Sequence, residues 1–291
     1  MIPRRKRILI PTDGSDTTRA AISFALDLAK ISDAEVTALC VNDISTSAVP
    51  GEVSPDAVSR MYQHSLTAVK NVVDQGEKMG VEVEPRVVNG VPVREIVDAS
   101  ARYDLIVMGT AARNGVSLMI LGSVAQQVIR FASCPVLVIS SARPLGLKIK
   151  NILIPTDGND NTKIAVRHGL EMARTFKADV TALFVTSTWT IPLTIRGRDE
   201  HFSLKAGQTA VEYVKREGEK RGIVVHPEIV TGSPANEIIR ASGVHDLIVM
   251  GTNGRTGLEY LRLGSVAIKT VRHARCPVLI VRDVEPLIST N

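Results

Sequence analysis

The residues best placed to do chemistry lie in one stretch, Gly251-Thr-Asn-Gly254-Arg-Thr-Gly-Leu-Glu-Tyr-Leu-Arg-Leu-Gly264-Ser265. It follows the strand-like run Asp246-Leu-Ile-Val-Met250 and opens the helix-like run Val266 to His273. Glycine lets a ligand approach the backbone with no Cβ in the way. The first turn of a helix offers unpaired N–H groups and the positive end of its dipole, which suit a phosphate. The spacing is not a Walker A loop, because no Gly-Lys-Ser/Thr follows, and it is not the compact Gly-x-Gly-x-x-Gly of dinucleotide folds. The stretch reads as a phosphate cradle; a glycine-bearing surface loop without a ligand has the same spacing.

The elements that must position this loop occur twice. Arg7-Ile-Leu-Ile-Pro-Thr-Asp-Gly14 returns as Asn151-Ile-Leu-Ile-Pro-Thr-Asp-Gly158, and Tyr103-Asp-Leu-Ile-Val-Met-Gly-Thr110 returns as His245-Asp-Leu-Ile-Val-Met-Gly-Thr252. Leu121-Gly-Ser-Val-Ala125 and Cys134-Pro-Val-Leu-Val-Ile139 return at Leu263 and Cys276. The offset is 144 residues early and 142 late, so a whole domain is duplicated. The reading places one domain at residues 1–142 and a second at 148–291, with a linker over 141–148.

Within each copy strand-like and helix-like runs alternate. In the first copy Ile8–Ile10 reads as a buried strand and Ser15 or Asp16 as the cap of a helix that turns Ala21, Phe24, Ala25 and Leu28 inward. Strand Val36–Val41 follows. A helix capped at Ser54-Pro55 then points Val58, Met61, Tyr62, Val69, Val72 and Val73 inward. Val81–Val88 alternates like a strand near a sheet edge. Helix Val93–Ser100, strand Leu105–Met108, helix Ser123–Phe131 and strand Val136–Ile139 complete the unit. This order calls for a parallel sheet with helices on both faces, binding ligands beyond the carboxyl ends of its strands at the switch point. In order 3-2-1-4-5 the Pro11-Thr12-Asp13 end meets the loop after Met108, and Pro155-Thr156-Asp157 meets the loop after Met250.

Composition bounds the function. The chain is 44% hydrophobic and 22% charged with a net charge of +5, the excess falling in the second half. Aromatics are only 3%, leaving few platforms for stacked bases, and only Arg4-Arg5-Lys6-Arg7 is a dense basic run; both argue against a nucleic-acid partner. No run approaches the ~18 apolar residues of a membrane span, and Ile8-Leu-Ile10 is too short for a signal-peptide core. Three cysteines without metal spacing (Cys40, Cys134, Cys276) fit a cytoplasmic protein with buried thiols.

The Gly-x2-Gly-x9-Gly-Ser spacing at Gly251, Gly254, Gly264 and Ser265, the Pro-Thr-Asp strand end and the closing Cys-Pro-Val-Leu strand resemble the universal stress protein family, over nearly all of both repeats. The resemblance implies two tandem Rossmann-like, adenine nucleotide alpha hydrolase-like α/β domains, each a five-stranded parallel sheet. It implies ATP as ligand, with Mg or Mn on the phosphates and no metal held by side chains. In the second domain Asp157 and Val185 would contact adenosine, Pro155 and Thr156 would floor the site, and Met250, Gly251, Asn253 and Gly254 would follow ribose and phosphates. Gly264, Ser265, Val266 and Ala267 would supply helix-terminal donors. The first domain keeps Pro11, Thr12, Asp13, Val41, Met108, Gly109, Gly122, Ser123 and Val124 but replaces the middle glycine with Ala112. The family also implies that the last strands of the two halves pair into an intramolecular pseudo-dimer; a homodimer of the whole chain is compatible with it.

Phosphoryl transfer needs metal ligands and a positioned nucleophile as well as a cradle, and neither copy carries a loop lysine or a Walker B set. Asp13 and Asp157 could hold a ribose hydroxyl, bind a metal, or only tie their own turns. The six scattered histidines form no ligand motif. The leading reading is therefore a nucleotide-binding stress or signalling module. A slow ATPase on the same site and a ligand-free interaction scaffold are the alternatives.

Overall fold

A computed structural model of the chain describes residues 5–43, 55–110, 121–140, 148–186, 196–252 and 264–282; the side chains at 55, 57, 161 and 196–203 fall outside that description. The chain divides into two compact units, Met1–Leu147 and Lys148–Asn291. The first contains β1 (Arg7–Pro11), a 3-10 turn (Asp16–Thr18), α1 (Arg19–Ser32), β2 (Glu35–Asp43), α2 (Pro55–Met79), β3 (Val83–Gly90), α3 (Pro92–Ser100), β4 (Leu105–Gly109), α4 (Ser123–Phe131) and β5 (Val136–Ile139). The second contains β6 (Asn151–Pro155), α5 (Asp160–Phe176), β7 (Asp179–Thr186), α6 (Arg196–Glu219), β8 (Val225–Thr231), α7 (Pro234–Ala241), β9 (Leu247–Gly251), α8 (Ser265–His273) and β10 (Val278–Val281).

Strands in the first unit pair in parallel. β1 lies between β2 and β4, β3 lies outside β2, and β5 outside β4, which is order 3-2-1-4-5. The second unit repeats it, with β6 between β7 and β9, β8 outside β7 and β10 outside β9. Helices cover both faces: α1 packs with α2 and α3 with α4. Sandwiched parallel strands read as continuous aliphatic runs, and Ile8, Leu9, Ile10, Ile106 and Val107 are all buried, as are Ile152, Leu153, Ile154 and Val249.

The helix faces follow the periodicity of the sequence. Ala21, Phe24, Ala25 and Leu28 of α1 are buried as expected, and Val69 and Val72 of α2 likewise. Val58 and Tyr62 are not: they are 55% and 46% exposed. The helix has 25 residues, about 37 Å at 1.5 Å per residue. The nine-residue strand beneath it spans about 30 Å, so the first turns overhang the sheet. Ser15 and Asp16 do not cap α1 with their side chains either. They enter the 3-10 turn, where Ser15 Oγ pairs with Thr17 Oγ1 at 2.7 Å. In the second unit α6 begins at Arg196 and runs to Glu219. The caps expected at Ser54 and the linker over 141–147 lie outside the described residues.

Two close approaches lock helix to sheet. A Cβ on Gly76 would stand 2.5 Å from Val83 Cγ2, and one on Gly218 would stand 2.3 Å from Val225 Cγ2. Both α1 and α5 stop at a residue in the left-handed region, Asp33 (φ 50°) and Lys177 (φ 53°).

Candidate functional site

The turn after each first strand is built by a threonine and an aspartate. Thr12 N–H donates to Leu39 O at 2.9 Å and Thr156 N–H to Leu183 O at 2.9 Å, so each ladder runs one residue past the strand. The threonine hydroxyl then folds back, accepting from Gly14 N–H at 3.1 Å and from Gly158 N–H at 3.2 Å. It meets a second hydroxyl, Thr18 at 3.3 Å or Thr162 at 3.4 Å. That second threonine already donates to Ser15 O or Asn159 O. The proton between the two hydroxyls therefore comes from Thr12 or Thr156.

Asp13 Oδ1 accepts Ser15 N–H at 2.9 Å, and Asp157 Oδ1 accepts Asn159 N–H at 3.1 Å. Asp157 Oδ2 also accepts from Asn159 Nδ2 at 3.0 Å. These are Asx turns, in which the aspartate ties its own loop. Gly14 and Gly158 sit at φ 77° and 81°, where side chains are disfavoured, and a Cβ there would press on Ala68 or Ala210 at 3.0 and 3.2 Å. The turn is thus clamped from the sheet below and from α2 or α6 beside it.

The other wall comes from the switch point. The β1–β4 ladder joins Ile8 to Leu105 and Leu9 to Ile106, and both strands run on beyond it to Pro11 and Gly109. The β6–β9 ladder likewise joins Ile152 to Leu247 and Leu153 to Ile248 while the strands continue to Pro155 and Gly251. Neighbouring strands whose connections depart in opposite directions leave a crevice at their carboxyl ends. At these strand ends Met108 and Met250 are buried, while Gly109, Gly251, Val41 and Val185 are part-exposed.

Helices α4 and α8 begin beyond this crevice. Their N-caps are Gly122 and Gly264, which offer no side-chain hydrogen bond. Gln126 N–H reaches Gly122 O at 2.9 Å and Ile268 N–H reaches Gly264 O at 3.0 Å. The donors of Ser123 and Val124, and those of Ser265, Val266 and Ala267, precede these first helical bonds. Ser123 and Ser265 are exposed, Val124 and Val266 part-exposed, and Ala267 buried. Gly264 N–H donates to Thr252 O at 2.8 Å, and a Cβ on Gly264 would lie 2.8 Å from that same oxygen. The glycine is needed there for room, since its φ is an ordinary −63°. Asn253, Gly254 and Ala112, with Arg113 and Arg255, lie outside the described residues.

Two histidines are tied into the fold by hydrogen bonds. His64 Nε2 bonds Asp13 O at 3.0 Å, and His245 bonds Ala241 O at 2.8 Å and Thr181 Oγ1 at 3.0 Å. Among the described residues no group of three His, Cys, Asp or Glu could hold a metal. All three cysteines are buried. Burial pushes the Cys134 thiol up to about 12, and burial raises Cys40 too, partly offset by a hydrogen bond with Ser65.

Sequence reasoning missed a cleft beside each Asx turn. In the first unit it lies between the start of α1 and α2 and measures about 330 Å³. In the second it lies between α5 and α6 and measures about 700 Å³. The signal was present in the repeat: at offset 142, α2 and α6 keep Gly76/Gly218 and Ala68/Ala210 but differ at the cleft-lining pairs Asn71/Tyr213 and Asp74/Arg216.

With both halves in view, the comparison with known proteins is decisive. The Universal stress protein family profile matches residues 4–140 and again 148–282. This chain belongs to the universal stress protein family. It is a tandem member, as the repeat required. A universal stress protein of Methanocaldococcus jannaschii is 42% identical over 139 residues, covering 46% of this chain and 82% of the relative. One from Mycobacterium tuberculosis is 24% identical over 296 residues, covering 97% of this chain and 99% of the relative. The crystal structure of a universal stress protein from Archaeoglobus fulgidus aligns with a TM-score of 0.75 at 21% identity, over 95% of this chain and 98% of that one, a likeness of fold. Among the described residues no helix is long and apolar enough to cross a membrane.

Proposed function

We propose that the second half binds an adenine nucleotide, ATP, and that occupancy makes the protein a stress-response or signalling module. The observation that carries the reading is the bare cap of α8: Gly264 adds no side chain, is bonded to Thr252 at the end of the neighbouring strand, and leaves helix-terminal donors without a side-chain partner. Such donors favour phosphate oxygens through both hydrogen bonds and the helix dipole. Thr156 and Pro155 would floor the crevice, Val185 would offer an apolar edge to adenine, and Asn253 and Gly254, outside the described residues, would follow the phosphates. Asp157 is already committed to Asn159, so its part is to hold the turn and its backbone in place while a remaining lone pair accepts from a ribose hydroxyl. Mg would ride on the phosphates. The first half carries Asp13, Val41 and Met108 in the same places, with Ala112 where a glycine would stand.

Denaturing the purified chain and identifying the released nucleotide by mass tests the reading. ATP near one per chain is expected. No released adenine, together with no thermal shift on adding ATP, refutes it and leaves an interaction scaffold. Steady phosphate release above blank, lost in Gly264→Glu, would identify the slow ATPase instead. The domain limits at 142 and 148, a cytoplasmic location, pairing of the two halves within the chain and homodimerisation of the whole belong to the same proposal; light scattering of the full chain addresses the last.

A further inference from the structure

The α5–α6 cleft shares the Thr156–Asn159 turn with the nucleotide crevice but has a chemistry of its own. Its walls carry Lys163, Lys205 and Arg216 against Asp157 and the Asp160 carboxylate that pairs with Lys163, an excess of one positive charge. The counterpart in the first half carries Arg19 and Lys78 against Asp16 and Asp74, and is neutral. The difference comes from equivalent positions of the repeat. Where the first half has Gln63, His64, Asn71 and Asp74, the second has Lys205, Ala206, Tyr213 and Arg216. Losing the imidazole removes the group that in the first half reaches across to the turn carbonyl at 3.0 Å. The cleft measures about 330 Å³ in the first half and about 700 Å³ in the second, within the ~300–1,000 Å³ of small-molecule sites.

The cations are arranged to meet one ligand. Lys205, Thr209, Tyr213 and Arg216 recur at helical spacing along one face of α6. Lys163 approaches from α5, held 2.6 Å from Asp160 and 5.6 Å from the Tyr213 ring centre. Neither Lys205 nor Arg216 is paired with a carboxylate among the described residues. Positive charge concentrated in a concave site attracts a multivalent anion more strongly than the same charges scattered on a convex surface. A monocarboxylate would answer one of the two cations without a carboxylate partner, Lys205 and Arg216; a phosphate group, with several oxygens and more than one charge, answers them together. We propose that this cleft is a second anion site, confined to the second half, which takes the phosphate groups of a small phosphorylated molecule.

The test uses the full chain labelled with 3-fluorotyrosine, whose four tyrosines give resolved ¹⁹F signals, with Tyr213 assigned by Tyr213→Phe. Inorganic pyrophosphate and, separately, ATP are titrated at constant ionic strength. A saturable displacement of the Tyr213 signal is expected, with the dissociation constant raised at least tenfold in K205Q/R216D, which imports the residues of the first half at two exposed positions. Displacement by pyrophosphate makes a phosphate group sufficient; displacement by ATP alone makes the source a nucleotide. No saturable displacement by either, or one indifferent to K205Q/R216D in a variant with an unchanged melting curve, overturns the site. The nucleotide crevice is read separately, through released nucleotide and Gly264→Glu.

Discussion

The carboxyl ends of β2 and β7 occupy the same place in two copies of one fold, yet they are filled by opposite chemistry. In the first half Ser65 Oγ bonds Asn42 Oδ1, and Asn42 Nδ2 donates to Asn89 Oδ1 at 2.9 Å, beside the buried Cys40. In the second half Phe184 stands for Cys40 and Gly207 for Ser65. Phe184 is 1% exposed, and a Cβ on Gly207 would come within 2.7 Å of its ring. Thr186 and Thr231 replace the asparagines, their hydroxyls 2.9 Å apart. The missing side chain at Gly207 makes room for part of the larger ring at 184, and a polar network gives way to an aromatic plug. Duplication freed the strand ends to diverge in pairs while the aliphatic sheet stayed constant.

The sharpest way to break this comparison is at the helix caps. Gly264→Glu should lower the nucleotide released from the purified chain at least tenfold, because the side chain meets Thr252 O and brings a negative charge to the donors. Gly122→Glu should leave it within twofold; an equal loss from both would put the nucleotide in both halves. Next comes the plug. Phe184→Ala is expected to cost about 3–5 kcal/mol and Cys40→Ala about 1 kcal/mol, read by urea unfolding. Adding Gly207→Ser to Phe184→Cys should cost less than the two changes separately, since they share one space.

His64→Ala should cost about 1 kcal/mol through the lost bond to Asp13 O, and should leave the second half's nucleotide unchanged. The smallest effect concerns pH. The Cys134 thiol titrates at about 12 in the fold against 9.0 ordinarily, so the folded state holds its proton longer. Its stability contribution is full below pH 9 and declines from pH 9 to 12. Cys134→Ala should flatten stability across that interval, and native Cys134 should resist alkylation at pH 8 until the chain unfolds.

Much of the fold was legible because two periodicities rarely conflict here. Short aliphatic runs such as Leu105–Met108, set between helical runs, read as sandwiched strands, and the repeat supplied a second reading of every element. Val58 and Tyr62 misled because periodicity reports a face and not whether anything lies opposite it. The strand-end residues were found from spacing, but the role of Asp13 and Asp157 as turn ties depends on backbone angles that Asp-Gly alone does not dictate. The α5–α6 cleft escaped notice because its residues come from separate segments and are ordinary surface types; only position-by-position comparison of the halves shows Asp74 answered by Arg216.

The bond from Gly264 N–H to Thr252 O fastens the start of α8 to the residue that follows β9. The first turn of that helix is thereby registered by the sheet itself, so the aim of its backbone donors is inherited from strand geometry rather than from the sequence of the helix.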